Sequence, residues 1–436
     1  MFRLLVSDKS GKIFNVPELE TAGMKAGHFF RPDKEEFIKM PEGSKLFMLP
    51  ERIPAGYSSF KGKFEILENY FAVAVFITPG FTGTYSAAYE LFRSRNKALP
   101  LFCYTAAGFY KGDIYVTAVR VDRSNRHDPR FIDINSVTKN TVKIKKLFPG
   151  NRLIKHLADC ASVYGCPGAQ NFFLSRQECP LPTSPACNAD CAGCISLKTQ
   201  PRIKFTPSPS EVNEVALFHM RNVKNPVLSF GQGCEGEPLL QADLIEKSIR
   251  LIRSRITKAT ININTNGSLP ESIAKLFDIG LDSIRVSLNS VRKEYYERYY
   301  NPVGYNFHDV LESIKIAKRK KGFVSINYLT MPGFTDSEDE CAALKKFIDS
   351  YKIDMIQWRN LNFDPLMYFK IIKYHVQPSN MIGVKQLINS LKKSHPNLKM
   401  GYYNPSRVKT NMYSNVSLNS QLAKKEWLYL SSARQV

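Results

Sequence analysis

The chain has 436 residues, of which 43% are hydrophobic and 12% aromatic. This length predicts two domains, and the apolar content excludes a disordered chain. The net charge of +22, from 61 basic and 39 acidic side chains, favours contact with phosphate groups, although a lysine-rich composition alone would also produce it. No apolar run approaches the roughly 18 residues of a membrane span, and the first residues turn polar too soon for a secretory signal. We therefore expect a soluble, cytoplasmic protein with no membrane partner.

Residues 1–150 are predicted to form a β-rich N-terminal accessory domain. The segments Phe71–Thr78 and Asp113–Arg120 have the β-branched and aromatic residues typical of strands, and Gly and Pro separate such segments. No motif with a chemical meaning occurs in this domain. A connecting segment, 151–178, leads to a different pattern.

From residue 179 to about 365, predicted strands alternate with predicted helices. The strands are Pro180–Ser184, Pro226–Phe230, Thr260–Gly267, Ser283–Asn289, Phe323–Leu329 and Met355–Leu361. The clearest helices are Leu240–Ile256, Glu271–Phe277 and Ser337–Tyr351. This alternation predicts an α/β fold of six βα units on a parallel sheet. Six units favour a partial (β/α)6 TIM-like barrel, in which chemistry gathers at the carboxyl ends of the strands.

Residues 366–436 are predicted to be a basic C-terminal segment that helps to close the barrel, with a final strand and turn at Leu398–Pro405. Residues 351–436 hold 13 Lys and Arg but only 3 Asp and Glu. Such a surface attracts phosphates, so RNA is one candidate substrate. A small molecule or a peptide held by the N-terminal domain is the other.

The nine cysteines are an odd number and concentrate between residues 160 and 194. Disulfide frameworks suit small secreted chains, so these thiols favour metal or redox chemistry. Cys187, Cys191 and Cys194 form the pattern CxxxCxxC, in which one loop wraps three thiolates around a compact metal site. A structural zinc site requires a fourth ligand, and no His or Cys follows Cys194 at short spacing. A four-iron cluster held by three thiolates instead leaves one iron open to a small molecule.

A CxxxCxxC motif after the first strand of a βα barrel resembles the radical S-adenosylmethionine (SAM) superfamily, over about residues 179–363. The resemblance implies a 4Fe-4S cluster on Cys187, Cys191 and Cys194, with SAM bound at the open iron. In that family the reduced cluster cleaves SAM to methionine and a 5′-deoxyadenosyl radical, which abstracts hydrogen from the substrate. The protein orients the cofactor and excludes water. A one-electron reductant such as flavodoxin or ferredoxin is implied as a partner.

The resemblance also implies which residues bind SAM. Gly236-Glu237-Pro238 matches the family's Gly-Glu-Pro motif, whose carboxylate holds the SAM ammonium group. Polar residues at the ends of the later strands contact the ribose or carboxylate of SAM in the family. The implied SAM-binding residues are Gly236, Glu237, Asn266, Ser287, Asn289, Asn327 and Arg359. One position departs from the family: the residue before the third cysteine is usually aromatic and lies beside the adenine, whereas here it is Gly193.

Two alternatives explain parts of the pattern. Gly231 to Gly236 also reads GxGxxG after a strand, as in dinucleotide-binding folds, but the acidic residue expected about 20 positions later is missing. A zinc-stabilised nucleic-acid-binding protein without catalysis would explain the charge, but it gives the Gly-Glu-Pro motif no role. A second cluster on Cys103, Cys160, Cys166 and Cys179 is a further hypothesis, although their irregular spacing favours small buried side chains.

Cys234 is a candidate catalytic residue because it lies just before the Gly-Glu-Pro motif, where the radical would form. A thiol has a weak S–H bond and could donate a hydrogen atom to a substrate radical. Glu235 could relay the proton or bind substrate. The alternative is that Cys234 is a small residue chosen to fit a tight turn.

Overall fold

The structure, a computed structural model, describes residues 1–92, 99, 102–124, 126, 128–198, 202–255 and 258–407. An antiparallel sheet fills the N-terminal part. Its strands are β1 Arg3–Ser7, β2 Ile13–Thr21, β3 Gly23–Lys25, β4 His28–Phe30, β5 Phe37–Lys39, β6 Lys45–Leu49, β7 Arg52–Ser58, β8 Lys63–Ile66, β9 Phe71–Phe76, β10 Phe81–Gly83, β11 Ser86–Ala87, β12 Tyr89–Leu91, β13 Thr105–Tyr110 and β14 Asp113–Arg120. The β-rich N-terminal region expected from the sequence is therefore present.

Three helices follow this sheet: α1 Ile134–Leu147, α2 Arg152–Ser162 and α3 Pro167–Phe173. The side chains of Asp133 and Asn151 cap the first two helices by accepting backbone N–H bonds, which satisfies donors that a helix start leaves free. The apolar faces of the helices join the same hydrophobic cluster as the strands that come next in the chain. The connecting segment is thus packed as part of the second domain.

The second sheet is entirely parallel, and its strands pair in chain order. They are β15 Glu178–Leu181, β16 Val227–Phe230, β17 Thr260–Thr265, β18 Ser283–Leu288, β19 Phe323–Thr330, β20 Met355–Asn360 and β21 Lys399–Gly401. The accompanying helices are α4 Ile195–Lys198, α5 Pro209–Asn222, α6 Ala242–Arg255, α7 Pro270–Asp278, α8 Lys293–Tyr300, α9 Phe307–Arg319, α10 Glu338–Tyr351, α11 Pro365–Ile372 and α12 Val384–Ser394. This architecture confirms the α/β, TIM-like fold class, with β21 as the final strand expected at Leu398–Pro405.

The strands of the parallel sheet are buried because helices cover their outer face. All six residues of β17 are buried, and the buried isoleucines and valines of neighbouring strands pack against helices such as α6 and α9. Parallel sheets covered in this way lack the simple alternation of polar and apolar residues that a half-exposed strand shows. The side chains on the inner face, described below, are nevertheless polar.

The N-terminal sheet packs on the loops that follow β19 and β20, at the carboxyl end of the barrel. Arg52 forms a buried ion pair with Asp364, whose other oxygen accepts a hydrogen bond of 3.0 Å from Tyr89. Lys25 lies 3.5 Å from the buried carboxylate of Asp336. The barrel mouth is therefore held against the accessory sheet by charges that water does not reach.

The basic C-terminal segment predicted for residues 366–436 is described only to residue 407; its remainder, 408–436, lies outside the described residues. Within the described part, Asn404 closes the barrel. Its amide donates to Glu178 on β15 at 2.7 Å, and its oxygen accepts from Gln357 on β20 at 3.0 Å. None of the helices in the described ranges is long and apolar enough to cross a membrane.

The buried pair between the domains gives a stability prediction. Arg52→Met should lower the free energy of unfolding by about 3–5 kcal/mol, because it leaves the Asp364 carboxylate buried without its cation. Equilibrium unfolding in urea measures the change. The matched control is Lys39→Met, which breaks the exposed pair with Asp113 and should leave the midpoint unchanged. Equal effects of the two substitutions would contradict the role given to the buried pair.

Candidate functional site

The three motif cysteines lie on the loop that follows β15, and each is half-buried. A turn brings the Cys194 amide to the Cys191 carbonyl at 3.2 Å. The end of α8 holds this cysteine loop through its backbone: the Ala192 amide donates to the Tyr299 carbonyl at 3.0 Å, and Ala189 forms an isolated β-bridge with Pro302. The thiols are thus presented on a fixed loop at the carboxyl end of the barrel.

The glycine before the third cysteine has a structural explanation. A Cβ atom at Gly193 would lie 2.6 Å from the hydroxyl oxygen of Tyr299, so a larger side chain would collide with that ring. The Gly193 amide also donates a hydrogen bond to the same hydroxyl. An aromatic side chain therefore does lie against this loop, but it comes from α8 and not from the motif itself.

The Gly-Glu-Pro loop after β16 docks directly on the chain leading to the cysteines. The Gly236 amide donates to the Ser184 carbonyl at 2.7 Å, and the Glu237 amide donates to the Ala186 carbonyl at 2.9 Å. A Cβ atom at Gly236 would lie only 1.9 Å from the Ala186 oxygen. Any residue except glycine would push the two loops apart.

The Glu237 carboxylate is buried and accepts three hydrogen bonds. One oxygen accepts from the Leu239 amide at 3.0 Å and from the Thr265 hydroxyl, and the other accepts from the Asn266 amide at 2.8 Å. Burial raises the pKa of Glu237 to about 7, and these hydrogen bonds counteract the rise. A carboxylate has about four acceptor positions, so the second oxygen retains room for a cationic donor.

Asn266 links the third strand to the cysteine loop. Its amide nitrogen donates to the side-chain oxygen of Asn188 at 2.8 Å, and Asn188 in turn donates to the Ser268 hydroxyl at 3.0 Å. Asn188 lies between the first two motif cysteines. The predicted site residues Gly236, Glu237 and Asn266 thus meet the cysteine loop at one place.

Polar side chains fill the interior of the barrel. The guanidinium of Arg285 on β18 donates to Gln357 on β20 at 3.0 Å, and these strands are not neighbours in the sheet. The contact therefore crosses the lumen. Other polar residues that share this inner network are Glu178, Ser229, Asn262, Asn264, Ser283, Ser325 and Asn404.

The upper part of the lumen holds atoms with unused hydrogen-bonding capacity. Arg285 Nε, Arg359 Nε and Asn327 Oδ1 are buried and have no hydrogen-bond partner. Burial and the neighbouring Arg359 guanidinium lower the pKa of Arg285 to about 9. Asn327 also donates to Ser287 at 3.4 Å, and Arg359 stacks 3.8 Å from the centre of the Tyr402 ring. Ser287 and Asn327 are thus in contact on paired strands, and Arg359 lies on the next strand of the sheet.

Asn289 donates to residues of the following segment, its Oδ1 is buried without a hydrogen-bond partner, and its contact with SAM stays a prediction. Its side chain is fully buried and donates to the Tyr295 carbonyl and the Tyr368 hydroxyl, both at 3.1 Å. The alternation of strand β18 ends at Leu288, and the chain then turns outward. Asn289 therefore anchors the start of α8.

Glu235, predicted to relay a proton or bind substrate, lies between the loops that follow β15 and β16, and that role stays a prediction. Its carboxylate is buried and accepts backbone amides of Gln232, Thr183 and Ser184 at 2.6–2.9 Å. Burial raises its pKa to about 7. Glu235 braces the loops that follow β15 and β16.

Cys234 is buried, and its thiol contacts a histidine and another cysteine. Cys234 Sγ lies 3.4 Å from His156 Nε2, which is 3.6 Å from Cys160 Sγ. The hydrogen bond between the two thiols lowers the pKa of Cys160 and raises that of Cys234. Among the described residues, the proposed set of Cys103, Cys160, Cys166 and Cys179 does not form a group of converging ligands.

Several residues of the site carry no sequence signal. Arg202 donates to Cys194 Sγ at 3.8 Å and to the Ser196 hydroxyl at 3.1 Å, which places a positive charge beside a motif thiol. Tyr299 and Arg285 also escaped prediction, because their roles depend on contacts between distant segments. Asn188 could have been found from the sequence, since it lies within the cysteine motif.

The region that carries these loops matches known proteins. Residues 181–344 match the family model described as the Radical SAM superfamily. The FeMo cofactor biosynthesis protein NifB of Klebsiella pneumoniae is 25% identical over 176 residues, which cover 36% of this chain and 38% of the relative. The probable GTP 3′,8-cyclase of Methanococcus aeolicus is 30% identical over 166 residues, covering 36% of this chain and 53% of the relative.

A third relative matches over a longer stretch. The probable dual-specificity RNA methyltransferase RlmN of Pseudothermotoga lettingae is 21% identical over 280 residues, covering 62% of this chain and 80% of the relative. The chain spans about half the length of the cyclase and less of NifB. The barrel region with its CxxxCxxC loop, residues 181–344, thus matches the radical SAM superfamily, whose members use a 4Fe-4S cluster and S-adenosylmethionine.

Proposed function

We propose that this protein is an enzyme that cleaves SAM reductively and uses the resulting 5′-deoxyadenosyl radical to abstract hydrogen from a substrate. The observation that carries the proposal is the meeting of the cysteine loop, the Gly-Glu-Pro loop and Asn266 at the carboxyl end of a parallel barrel. The backbone contacts of Gly236 and Glu237 fix this arrangement. The alternative of a zinc-stabilised nucleic-acid-binding protein finds no support in the comparisons.

The chemistry of the motif thiols fits a 4Fe-4S cluster. Burial raises the pKa of Cys191, and the adjacent Cys194 and Cys187 thiols raise it further. Burial likewise raises the pKa of Cys187. Three thiolates so placed would repel one another unless metal cations lay among them, and metal coordination deprotonates thiols. Arg202 offers a further positive charge at Cys194. When bound and reduced, the cluster supplies the electron that cleaves SAM, and a flavodoxin or ferredoxin is the proposed donor.

The residues proposed to bind SAM lie between the cysteine loop and the lumen. The free acceptor position on Glu237 suits the SAM ammonium, because a carboxylate and a cation attract strongly where water is excluded. Gly236 lets the loop approach closely, and Asn266 orients it through Asn188. Ser287 and Asn327 offer hydroxyl and amide groups on the lumen side. These residues bind and orient, while the buried walls of the barrel exclude water.

We further propose that the substrate presents an anionic group to the lumen. Arg285 and Arg359 are close enough to affect each other electrostatically, and each has a buried Nε that has no hydrogen-bond partner. Two guanidinium groups held together in a low-dielectric site attract carboxylate or phosphate. The names of the relatives indicate different substrates. Only the two arginines therefore support an anionic substrate. A small acid, a peptide carboxylate or a nucleotide phosphate would each satisfy them.

Replacing Cys187, Cys191 and Cys194 together by Ala should abolish SAM cleavage, because the cluster loses all its protein ligands. After anaerobic reconstitution, the wild-type chain should contain roughly four irons and four sulfides, and the triple variant should lack this cluster. Iron and sulfide analysis and 5′-deoxyadenosine formation with dithionite as reductant measure the two effects. Cys341→Ala, which removes a buried thiol on α10, is the control and should retain both. Continued 5′-deoxyadenosine formation by the triple variant would contradict the assignment.

Glu237→Gln should weaken SAM binding by roughly 10–100-fold, since a hydrogen bond to a charged group contributes about 1.5–3 kcal/mol. Anaerobic calorimetric titration of SAM gives the affinity, and the electron paramagnetic resonance spectrum of the reduced cluster should remain that of the wild type. Asp243→Asn removes an exposed carboxylate at the start of α6 and should change neither. If Glu237→Gln binds SAM normally, Glu237 does not contact it.

Arg359→Gln should reduce the binding of anions to the lumen. Inorganic phosphate is expected to raise the unfolding temperature of the wild-type protein, because a ligand that binds only the folded state stabilises it. The increase should be smaller in Arg359→Gln. Arg319→Gln changes an exposed arginine on α9 and controls for the general stabilising effect of the salt. Equal increases in both variants would refute the anion site.

A further inference from the structure

Three side chains with metal-binding atoms converge outside the radical SAM site. His156 and Cys160 are four residues apart on α2, so both project from one face of the helix. Cys234 reaches them from the loop after β16. His156 Nε2 lies 3.4 Å from Cys234 Sγ and 3.6 Å from Cys160 Sγ, and the three ligand atoms lie within 4.8 Å of one another.

These spacings match the edges of a tetrahedral zinc shell. With Zn–S near 2.3 Å and Zn–N near 2.0–2.1 Å, a tetrahedral angle places nitrogen and sulfur about 3.5 Å apart. The cysteine ligands of a four-iron cluster bind different irons and therefore lie farther apart. The geometry of His156, Cys160 and Cys234 therefore suits one ion rather than a second cluster.

Cys166 is a candidate for the fourth ligand. The Cys166 amide donates to the Cys160 carbonyl at 2.9 Å, so the chain folds back beside the three ligands. The Cys166 thiol is near enough to raise the pKa of Cys234, and Cys160 in turn raises the pKa of Cys166. It now accepts hydrogen bonds from the start of α3, and a side-chain rotation would be needed to bring it to the ion.

Buried histidine and cysteine side chains often have only a packing role in a hydrophobic core. The arrangement of His156, Cys160 and Cys234 differs from simple core packing. Cys160 and Cys234 are almost fully buried, with exposed fractions of 4% and 6%, whereas His156 is half-buried at the edge. A soft ion could enter from the histidine side. The ligand set of nitrogen and thiolate sulfur is the one that zinc and similar ions prefer.

We propose that His156, Cys160 and Cys234 bind a single soft divalent ion such as Zn²⁺, with Cys166 or water as the fourth ligand. The ion would join α2 to the loop that carries Gly236 and Glu237. That loop also contacts the segment after the cysteines, because the Ile203 amide donates to the Cys234 carbonyl at 2.8 Å. The site thus stabilises the SAM-binding loop from its outer side, and Cys234 is a metal ligand rather than a hydrogen donor.

The test uses the full chain with Cys187, Cys191 and Cys194 replaced by Ala, so that the radical SAM motif cannot hold metal. After anaerobic purification, treatment with a chelator and addition of Zn²⁺, the protein should retain about one zinc per chain. Co²⁺ should give the thiolate charge-transfer absorption and the intense visible bands of a tetrahedral site. Zinc should also raise the unfolding temperature.

Adding Cys160→Ser or Cys234→Ser should weaken zinc binding by more than the roughly 10–100-fold that loss of an outer-shell residue causes. His156→Gln, at the half-buried position, provides a variant less disruptive to folding and should show the same loss. Cys341→Ser, at a buried thiol that donates to the Thr335 carbonyl, is the control and should bind zinc normally. Circular dichroism verifies that each variant is folded.

Three results would overturn the proposal. The first is that the chain without its motif cysteines retains no zinc, or retains it equally after loss of His156, Cys160 or Cys234. The second is iron with sulfide in that chain, which would indicate a cluster at the site. The third is a Cys160–Cys234 disulfide in the anaerobic protein, detected by mass spectrometry.

Discussion

The close contact between the Gly-Glu-Pro loop and the chain before the cysteines is the constraint on which the rest of the site depends. Two backbone hydrogen bonds, from Gly236 to Ser184 and from Glu237 to Ala186, set the distance between the loops. Only glycine permits that distance, because a Cβ would overlap the Ala186 oxygen. Glu237, buried by this approach, ties the third strand to the second through Thr265. The proposed cluster ligands and the proposed SAM ligands thereby share one support.

Each strand of the barrel has an outward face and an inward face that differ in polarity. Outward side chains are aliphatic and pack under helices, where burial supplies most of the favourable free energy. Inward side chains are amides, hydroxyls and arginines that bond across the lumen, as Arg285 does to Gln357. Buried polar groups cost free energy unless they are paired. The unpaired nitrogens of Arg285 and Arg359 therefore carry a free-energy cost that a ligand could remove.

The parallel strands, the cysteine loop and the Gly-Glu-Pro motif could be predicted because their signals are local: periodicity, spacing and short motifs. Strand β18 ends at Leu288, one residue earlier than predicted, so the hydrogen bonds of Asn289 to the following segment could not be predicted from the sequence. The aromatic neighbour of the cysteine loop, Tyr299, could not be found at Gly193 because it lies over 100 residues away in the chain. The contacts of His156 with Cys234, and of Arg52 with Asp364, also join distant segments and depend on the finished fold.

The two buried carboxylates at the barrel mouth, Asp336 and Asp364, have consequences for how such a protein can evolve. Their cations, Lys25 and Arg52, belong to the accessory sheet. A barrel that acquired a different accessory sheet would keep two negative charges under apolar cover with no partner, at a cost of several kcal/mol each. A chimaera that exchanged the accessory sheet would therefore need both charge pairs exchanged at once.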